Sequence, residues 1–136
     1  IAEHYEAVNL TKVIGKIIDS FGEANRYFNA REPWKKIKTG NKEEKALAKT
    51  TLYLTANFIH DAAIYLYPIT PNLSEKILSQ ISSSKRQPGI SWDLAGEFAV
   101  KPGVKIGEPK PVVEKISDEQ INKDIEALEK GKAEEE

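Results

Sequence analysis

The run Leu47-Ala48-Lys49-Thr50-Thr51-Leu52-Tyr53-Leu54-Thr55-Ala56-Asn57-Phe58-Ile59-His60-Asp61-Ala62-Ala63-Ile64-Tyr65-Leu66 decides the fold. At helical spacing Leu47, Thr51, Leu54, Phe58, Ala62 and Tyr65 make one row, and Ala48, Leu52, Ile59, Ala63 and Leu66 make another. A helix with one apolar stripe lies on a surface, whereas two rows need neighbours around much of the circumference. The pattern therefore predicts a central helix from about Lys42 to Tyr67 on which other elements pack. Upstream, Leu10, Val13, Ile14, Ile17, Ile18, Phe21, Ala24 and Phe28 follow the three-and-four spacing of one helical face, predicting a helix over 9–31 with those residues inward. Gly15 and Gly22 inside it each cost about 1 kcal/mol of helix propensity, which points to close approach by another element unless they are merely tolerated.

Downstream, Pro68 ends the central helix and Thr70-Pro71 begins a third, with the Thr70 hydroxyl placed to cap freed N–H groups and proline at the first helical position. Leu73, Ile77, Leu78 and Ile81 are its expected inward side, Ser82 to Gly89 a surface loop, and Trp92 a lid on the bundle. Lys101 to Pro111 holds three prolines and two glycines, which excludes a regular helix and suits an extended strap with Val104 and Ile106 pointing inward. Ser117 and Gln120 form a capping pair for a fourth helix with a narrow stripe of Ile121, Ile125 and Leu128, and beyond Lys130 a solvated, unordered tail or linker is expected. The expected fold class is all-α, a helical bundle of three main helices with an extended C-terminal strap and a short fourth helix. Residues 1–116 form the bundle with its packed strap, and residues 117–136 the C-terminal helix and charged tail or linker.

Composition limits the chemistry. The 136 residues, 40% hydrophobic and 30% charged, suit one globular domain and a tail. Without cysteine there is no disulfide framework, thiolate nucleophile or cysteine-ligated zinc, which fits an intracellular, cytoplasmic setting. The longest apolar stretch, Leu52 to Leu66, carries Asn57, His60 and Asp61 and is too short and polar to span a bilayer, so no membrane partner is expected. The net charge of −1 argues against a protein that coats nucleic acid, DNA included, but it averages a basic middle with an acidic end. From Val112 onward nine Asp or Glu face four Lys. No aspartate loop of the kind that holds a hard cation is present, and no metal site is expected.

The basic middle surrounds Asn25-Arg26-Tyr27-Phe28-Asn29-Ala30-Arg31-Glu32-Pro33-Trp34. Pro33 lacks an N–H and disfavours helical geometry in the residue before it, so the helix should stop near Arg31 and set Trp34 at its exit, before a lysine-rich turn. Arg31, Lys35, Lys36, Lys38, Lys42, Lys45 and Lys49 outnumber Glu32, Glu43 and Glu44 there. An aromatic ring among cations suits single-stranded nucleic acid, the ring for a base and the cations for phosphates. From these residues alone a second reading stays open, in which Trp34 is a core plug. Arg26 and Asn25 are expected to hold the turn by hydrogen bonds. His60 and Asp61 diverge by about 100 degrees on a helix, so no shared acid-base target is expected, and His4 should fray near the start. Tyr53, Tyr65 and Tyr67 read as core and rim.

The ordered set Ala24 to Trp34, then Leu52 to Ile81 with Tyr67-Pro68-Ile69-Thr70-Pro71-Asn72-Leu73-Ser74-Glu75-Lys76-Ile77-Leu78, then Ser91-Trp92-Asp93, then Gly103-Val104-Lys105-Ile106-Gly107-Glu108-Pro109, resembles the anticodon-binding domain of methionyl-tRNA synthetases, class Ia aminoacyl-tRNA synthetases. The resemblance covers about residues 8–116. It implies a module that reads the CAU anticodon of methionine tRNA, with Pro33 and Trp34 at the pocket of the first anticodon base and Arg31, Lys35 and Lys36 beside it on the RNA. The asparagine and arginine that the family carries one turn apart on a preceding helix have no counterpart here, and the adenylation signatures of such enzymes are absent, so the chain is expected to be a non-catalytic fragment. By the same resemblance the catalytic domain of the same chain would use ATP with magnesium, and this fragment would bind no cofactor. Two competing readings are an anticodon domain of a related class Ia synthetase, and a helical protein-interaction scaffold without RNA binding.

Overall fold

The computed structural model describes residues 1–81 and 90–133. Its elements are α1 (Ala2–Glu6), α2 (Leu10–Arg31), α3 (Pro33–Thr39), α4 (Lys42–Leu66), α5 (Pro71–Ile81), a single 3-10 turn (Trp92–Leu94) and α6 (Asp118–Ala133), with no strand among the described residues. The all-α bundle expected from the sequence is what forms, and α4 is its axis: α2, α3, α5 and the 3-10 turn all pack on it. Asn41 and Glu44 start α4 with a reciprocal capping box, the Asn41 carboxamide accepting from the Glu44 N–H and the Glu44 carboxylate accepting from the Asn41 N–H, both at 2.9 Å. Ala48, Thr51, Ala62, Ala63 and Ile64 of α4 are buried in the core, as are Val13 and Ile17 of α2, and Phe21 and Phe58 meet edge to face with centroids 5.3 Å apart.

The stripe on α2 is narrower than its sequence pattern. Val13 and Ile17 are buried, but Leu10, Ile14 and Ile18 lie on the surface, Ile18 with 61% of its area exposed. Helix-on-helix contact covers only a limited arc, and α2 packs chiefly on α4. Among the described residues no second element approaches Gly15 or Gly22, where an added Cβ would meet nothing within 4 Å, so both are tolerated residues and not close-approach sites.

Two polar latches join α4 to the chain beyond α5. Asn57 is buried, and its carboxamide reads both backbone groups of Val100: Nδ2 donates to the Val100 carbonyl at 3.1 Å, and Oδ1 accepts from the Val100 N–H at 2.9 Å. Asp61 accepts from the Gly96 N–H at 2.9 Å and stands 3.1 Å from His60 Nδ1. Adjacent positions on a helix thus do meet here, and the buried His60 is a partner of the Asp61 carboxylate that forms the latch. Between the two latches Phe98 is held at φ 48°, a left-handed conformation that costs a side-chain-bearing residue of order 1 kcal/mol. Its ring lies parallel to Tyr53, 5.9 Å away at 11°.

Trp92 is the lid the sequence predicted. Its ring takes edge contacts from Tyr65 at 5.3 Å and from Tyr5 at 5.2 Å, and the Tyr5 hydroxyl donates to the Tyr65 carbonyl. The first residues are therefore not frayed: α1 includes His4 and is tied down through Tyr5. Thr70 also departs from expectation. Its hydroxyl donates back to the Leu66 carbonyl at 3.3 Å, closing α4, while its own carbonyl accepts the Ser74 N–H at the start of α5.

The strap is held by its backbone, not by Val104 and Ile106, which are both exposed, Ile106 at 62%. Gly107 donates to the Gln80 carbonyl at 2.8 Å, and the Gln80 carboxamide pairs with both backbone groups of Lys110. A Cβ on Gly107 would stand 3.1 Å from the Ser79 carbonyl oxygen, which accounts for glycine there. Proline-rich chain with polar anchors has no need of inward apolar residues, and Val100 supplies the buried side chain instead. Ser117 caps α6 as expected, accepting from the Gln120 N–H at 3.2 Å. That helix runs past Lys130 to Ala133 with Ile121, Ile125 and Leu128 exposed. The loop predicted over Ser82 to Gly89 and the last three residues lie outside the described residues.

Asn57→Leu strands both backbone groups of Val100 in the interior and should lower unfolding free energy by about 2 to 4 kcal/mol, measured by urea denaturation. Burial raises the Tyr5 phenol above its ordinary range. Stability from that group is complete below the pKa of the unfolded phenol and is lost as pH rises through the folded value. Wild type should therefore lose stability more steeply above about pH 10 than Tyr5→Phe, read by melting temperature against pH.

Candidate nucleic-acid interface

One residue both closes α2 and opens α3. Glu32 sits at φ 43°, ψ 51°, donates its N–H to the carbonyls of Phe28 and Asn29 at 3.2 and 3.3 Å, and offers its own carbonyl to the N–H groups of Lys35 and Lys36. Pro33 follows as the first residue of α3, where its fixed φ suits a helix and its missing N–H leaves nothing unsatisfied. Its ring is fully buried. The lysine-rich turn expected after Trp34 is thus a two-turn helix, because the left-handed Glu32 reverses the chain and proline restarts it. Lys35, Lys36 and Lys38 are carried on α3.

Trp34 comes directly after that buried anchor. It keeps 44% of its surface in water, and its ring meets Phe28 with centroids 5.4 Å apart and planes tilted by 41°. A core plug would be enclosed, so the exposure favours the surface reading left open by the sequence. Arg31 holds its guanidinium 5.4 Å over the Tyr27 ring, an arrangement that fixes the cation without neutralising it. Lys35 pairs with Glu32, but both side chains are largely exposed, and such a pair contributes at most about 1 kcal/mol. A phosphate could displace the carboxylate. Lys36 is half-buried and has no ion pair within 4 Å among the described residues.

Asn25 and Arg26 do not hold the turn. The Asn25 carboxamide accepts from Asn29 at 3.3 Å and Arg26 pairs with Glu23, both within α2, since side chains three and four residues apart meet on a helix surface before they reach its end. Beside them runs an open groove of about 400 Å³ between α2 and α4, lined by Ala24 and Tyr27 on one wall and Leu54, Thr55 and Phe58 on the other. Sequence reasoning did not single out Tyr27 and placed Phe28 only in the inward row of its helix, although both stand in the segment it chose. The available signal was their spacing: Tyr27 four residues before Arg31, and Phe28 four before the reversal at Glu32.

No group of three metal-ligating side chains occurs among the described residues, and no helix there is long and apolar enough to cross a membrane. Residues 1–132 match the family model described as the anticodon binding domain of methionyl tRNA ligase. The methionine–tRNA ligase of Pyrobaculum calidifontis is 34% identical over 131 residues, covering 96% of this chain and 22% of that protein. Those of Sulfolobus acidocaldarius and Methanosphaera stadtmanae are 39% and 30% identical, covering 76% and 94% of this chain and 18% and 20% of theirs. The chain thus spans about a fifth of the length of these relatives. No solved structure matches the chain.

The two tryptophans offer a check on the geometry that needs no RNA. With Trp92→Phe the remaining Trp34 should emit at long wavelength and be quenched readily by iodide, whereas with Trp34→Phe the remaining Trp92, packed against Tyr5 and Tyr65, should emit further to the blue and resist quenching.

Proposed function

The chain belongs to the family of anticodon-binding domains of methionyl-tRNA ligases, and on that premise we propose that it reads the CAU anticodon of methionine tRNA through Trp34. The observation that supports this most is the exposed indole set on a buried proline, which fixes its position while leaving the ring accessible. An unpaired base gains about 1 to 3 kcal/mol from such a ring, and the ring costs little to order because its anchor is already in place. The first anticodon base would lie on Trp34, with Pro33 shaping the floor of its pocket. Arg31, Lys35 and Lys36 would take the adjoining phosphates, and splaying of the anticodon bases would expose the edges that distinguish CAU from other triplets.

In this reading the domain supplies specificity. The catalytic domain of the same polypeptide would activate methionine with ATP and magnesium and attach it to the tRNA, at a distance from these helices and in the cytoplasm. The residues of this chain would do no chemistry on methionine or ATP.

Trp34→Ala in the full-length ligase should lower kcat/KM for methionine tRNA by about tenfold to a hundredfold while methionine-dependent exchange of pyrophosphate into ATP is unchanged. Unaltered aminoacylation by a correctly folded variant would refute the assignment of Trp34.

A further inference from the structure

We propose a second base-stacking surface on this domain, formed by Phe98 lying on Tyr53 at the end of a row of lysines along α4, which takes an unpaired base of the bound RNA other than the one on Trp34. The proposal rests on the RNA-binding reading above and extends it to a different part of the surface.

Three observations converge. Phe98 is 46% exposed although its backbone is forced to φ 48°, a combination that packing alone does not favour, since a glycine would relieve the backbone and a buried ring would gain more from burial. Strain of this kind persists only where the surroundings impose it, and it concentrates where a side chain has to be presented. The surroundings here impose it twice: Asp61 holds Gly96 on one side and Asn57 holds Val100 on the other, so residues 96–100 are clamped to α4 with Phe98 at the crest. The ring is parallel to Tyr53, at 11°, so the two form a flat stack and not the edge contact seen at Phe21 and Phe58. A base could extend such a stack.

The third observation is charge. Lys42, Lys45 and Lys49 precede Tyr53 at spacings of three, four and four, which places all four on one face of α4 over about 16 Å. The three lysines are exposed, and none makes an ion pair within 4 Å among the described residues. Lys101, next to Val100 in the chain, is exposed as well, while Glu97 is exposed on the same loop and Asp61 is engaged by the Gly96 N–H. A line of free cations leading to a parallel aromatic pair matches a single strand, whose phosphates follow the lysines and whose base reaches the rings. An acidic protein partner would use the lysines and leave Phe98 idle.

Phe98→Gly removes the ring and the strain together, and Phe98→Leu keeps apolar bulk without a π face. In the full-length protein, binding a methionine tRNA transcript measured at several salt concentrations, both variants should bind about five- to a hundredfold more weakly, whereas Phe98→Trp should bind within twofold of wild type. Lys49→Ala should lower the slope of log affinity against log salt by about one. A 2-aminopurine placed singly at each loop position should lose its bound-state quenching at one position in Phe98→Leu, and at a different one in Trp34→Ala. If both Phe98 variants bind as wild type while Trp34→Ala binds more weakly, Phe98 is only a cover for the loop and the proposal is overturned. If Trp34→Ala and Phe98→Leu both leave affinity unchanged, the anticodon reading itself fails. Should Phe98→Gly not fold, the Leu and Trp pair decides.

Discussion

The constraint on which the rest of the molecule depends is the buried carboxamide of Asn57, which satisfies both backbone groups of Val100 from the middle of α4. Among the described residues Val100 lies outside any helix or strand that would pair its backbone, and a buried peptide group without a partner costs on the order of 1 to 3 kcal/mol. Asn57 meets that need with one residue, acting as a fragment of β-ladder offered by a helix. Because the amide is rigid and buried, the loop can sit in only one register. The Asp61 latch to Gly96, the strained Phe98 and the beginning of the strap all follow from that register.

The same economy appears at Glu32 and Pro33. A helix that simply frayed after Arg31 would leave Trp34 on a mobile tether with no fixed position. The left-handed Glu32 turns the chain sharply, and the buried proline pins the first turn of α3 against the bundle. The cost is local strain at one residue. The result is an indole whose exposure coexists with a fixed position. The exposed rings of Trp34, against Phe28, and Phe98, against Tyr53, thus stand near a left-handed, non-glycine residue or on one.

Exposed apolar residues on α2 and α6 show the other side of this architecture. Ile14 and Ile18 share one face of α2, and Ile121, Ile125 and Leu128 share one face of α6, without a partner among the described residues. The packing of the described residues centres instead on α4 and the elements around it.

Periodicity and proline placement were enough to determine α2, α4, α5 and the start of α6, though not α1 or α3, since the apolar rows of α4, the Pro33, Pro68 and Pro71 punctuation and the Ser117 cap act over a few residues and need no tertiary information. The family was legible for a related reason: its marks are short segments in fixed order. What sequence could not supply was which of several apolar residues on a helix meets a neighbour. Val13 and Ile17 are buried while Ile14 and Ile18 are not, because only the placement of α4 defines the contact arc. The exposure of Trp34, the outward turn of Val104 and Ile106, and the meeting of Phe98 with Tyr53 belong to the same class. Each depends on residues far apart in the chain being brought together, and a side chain's surroundings exist only once that has happened.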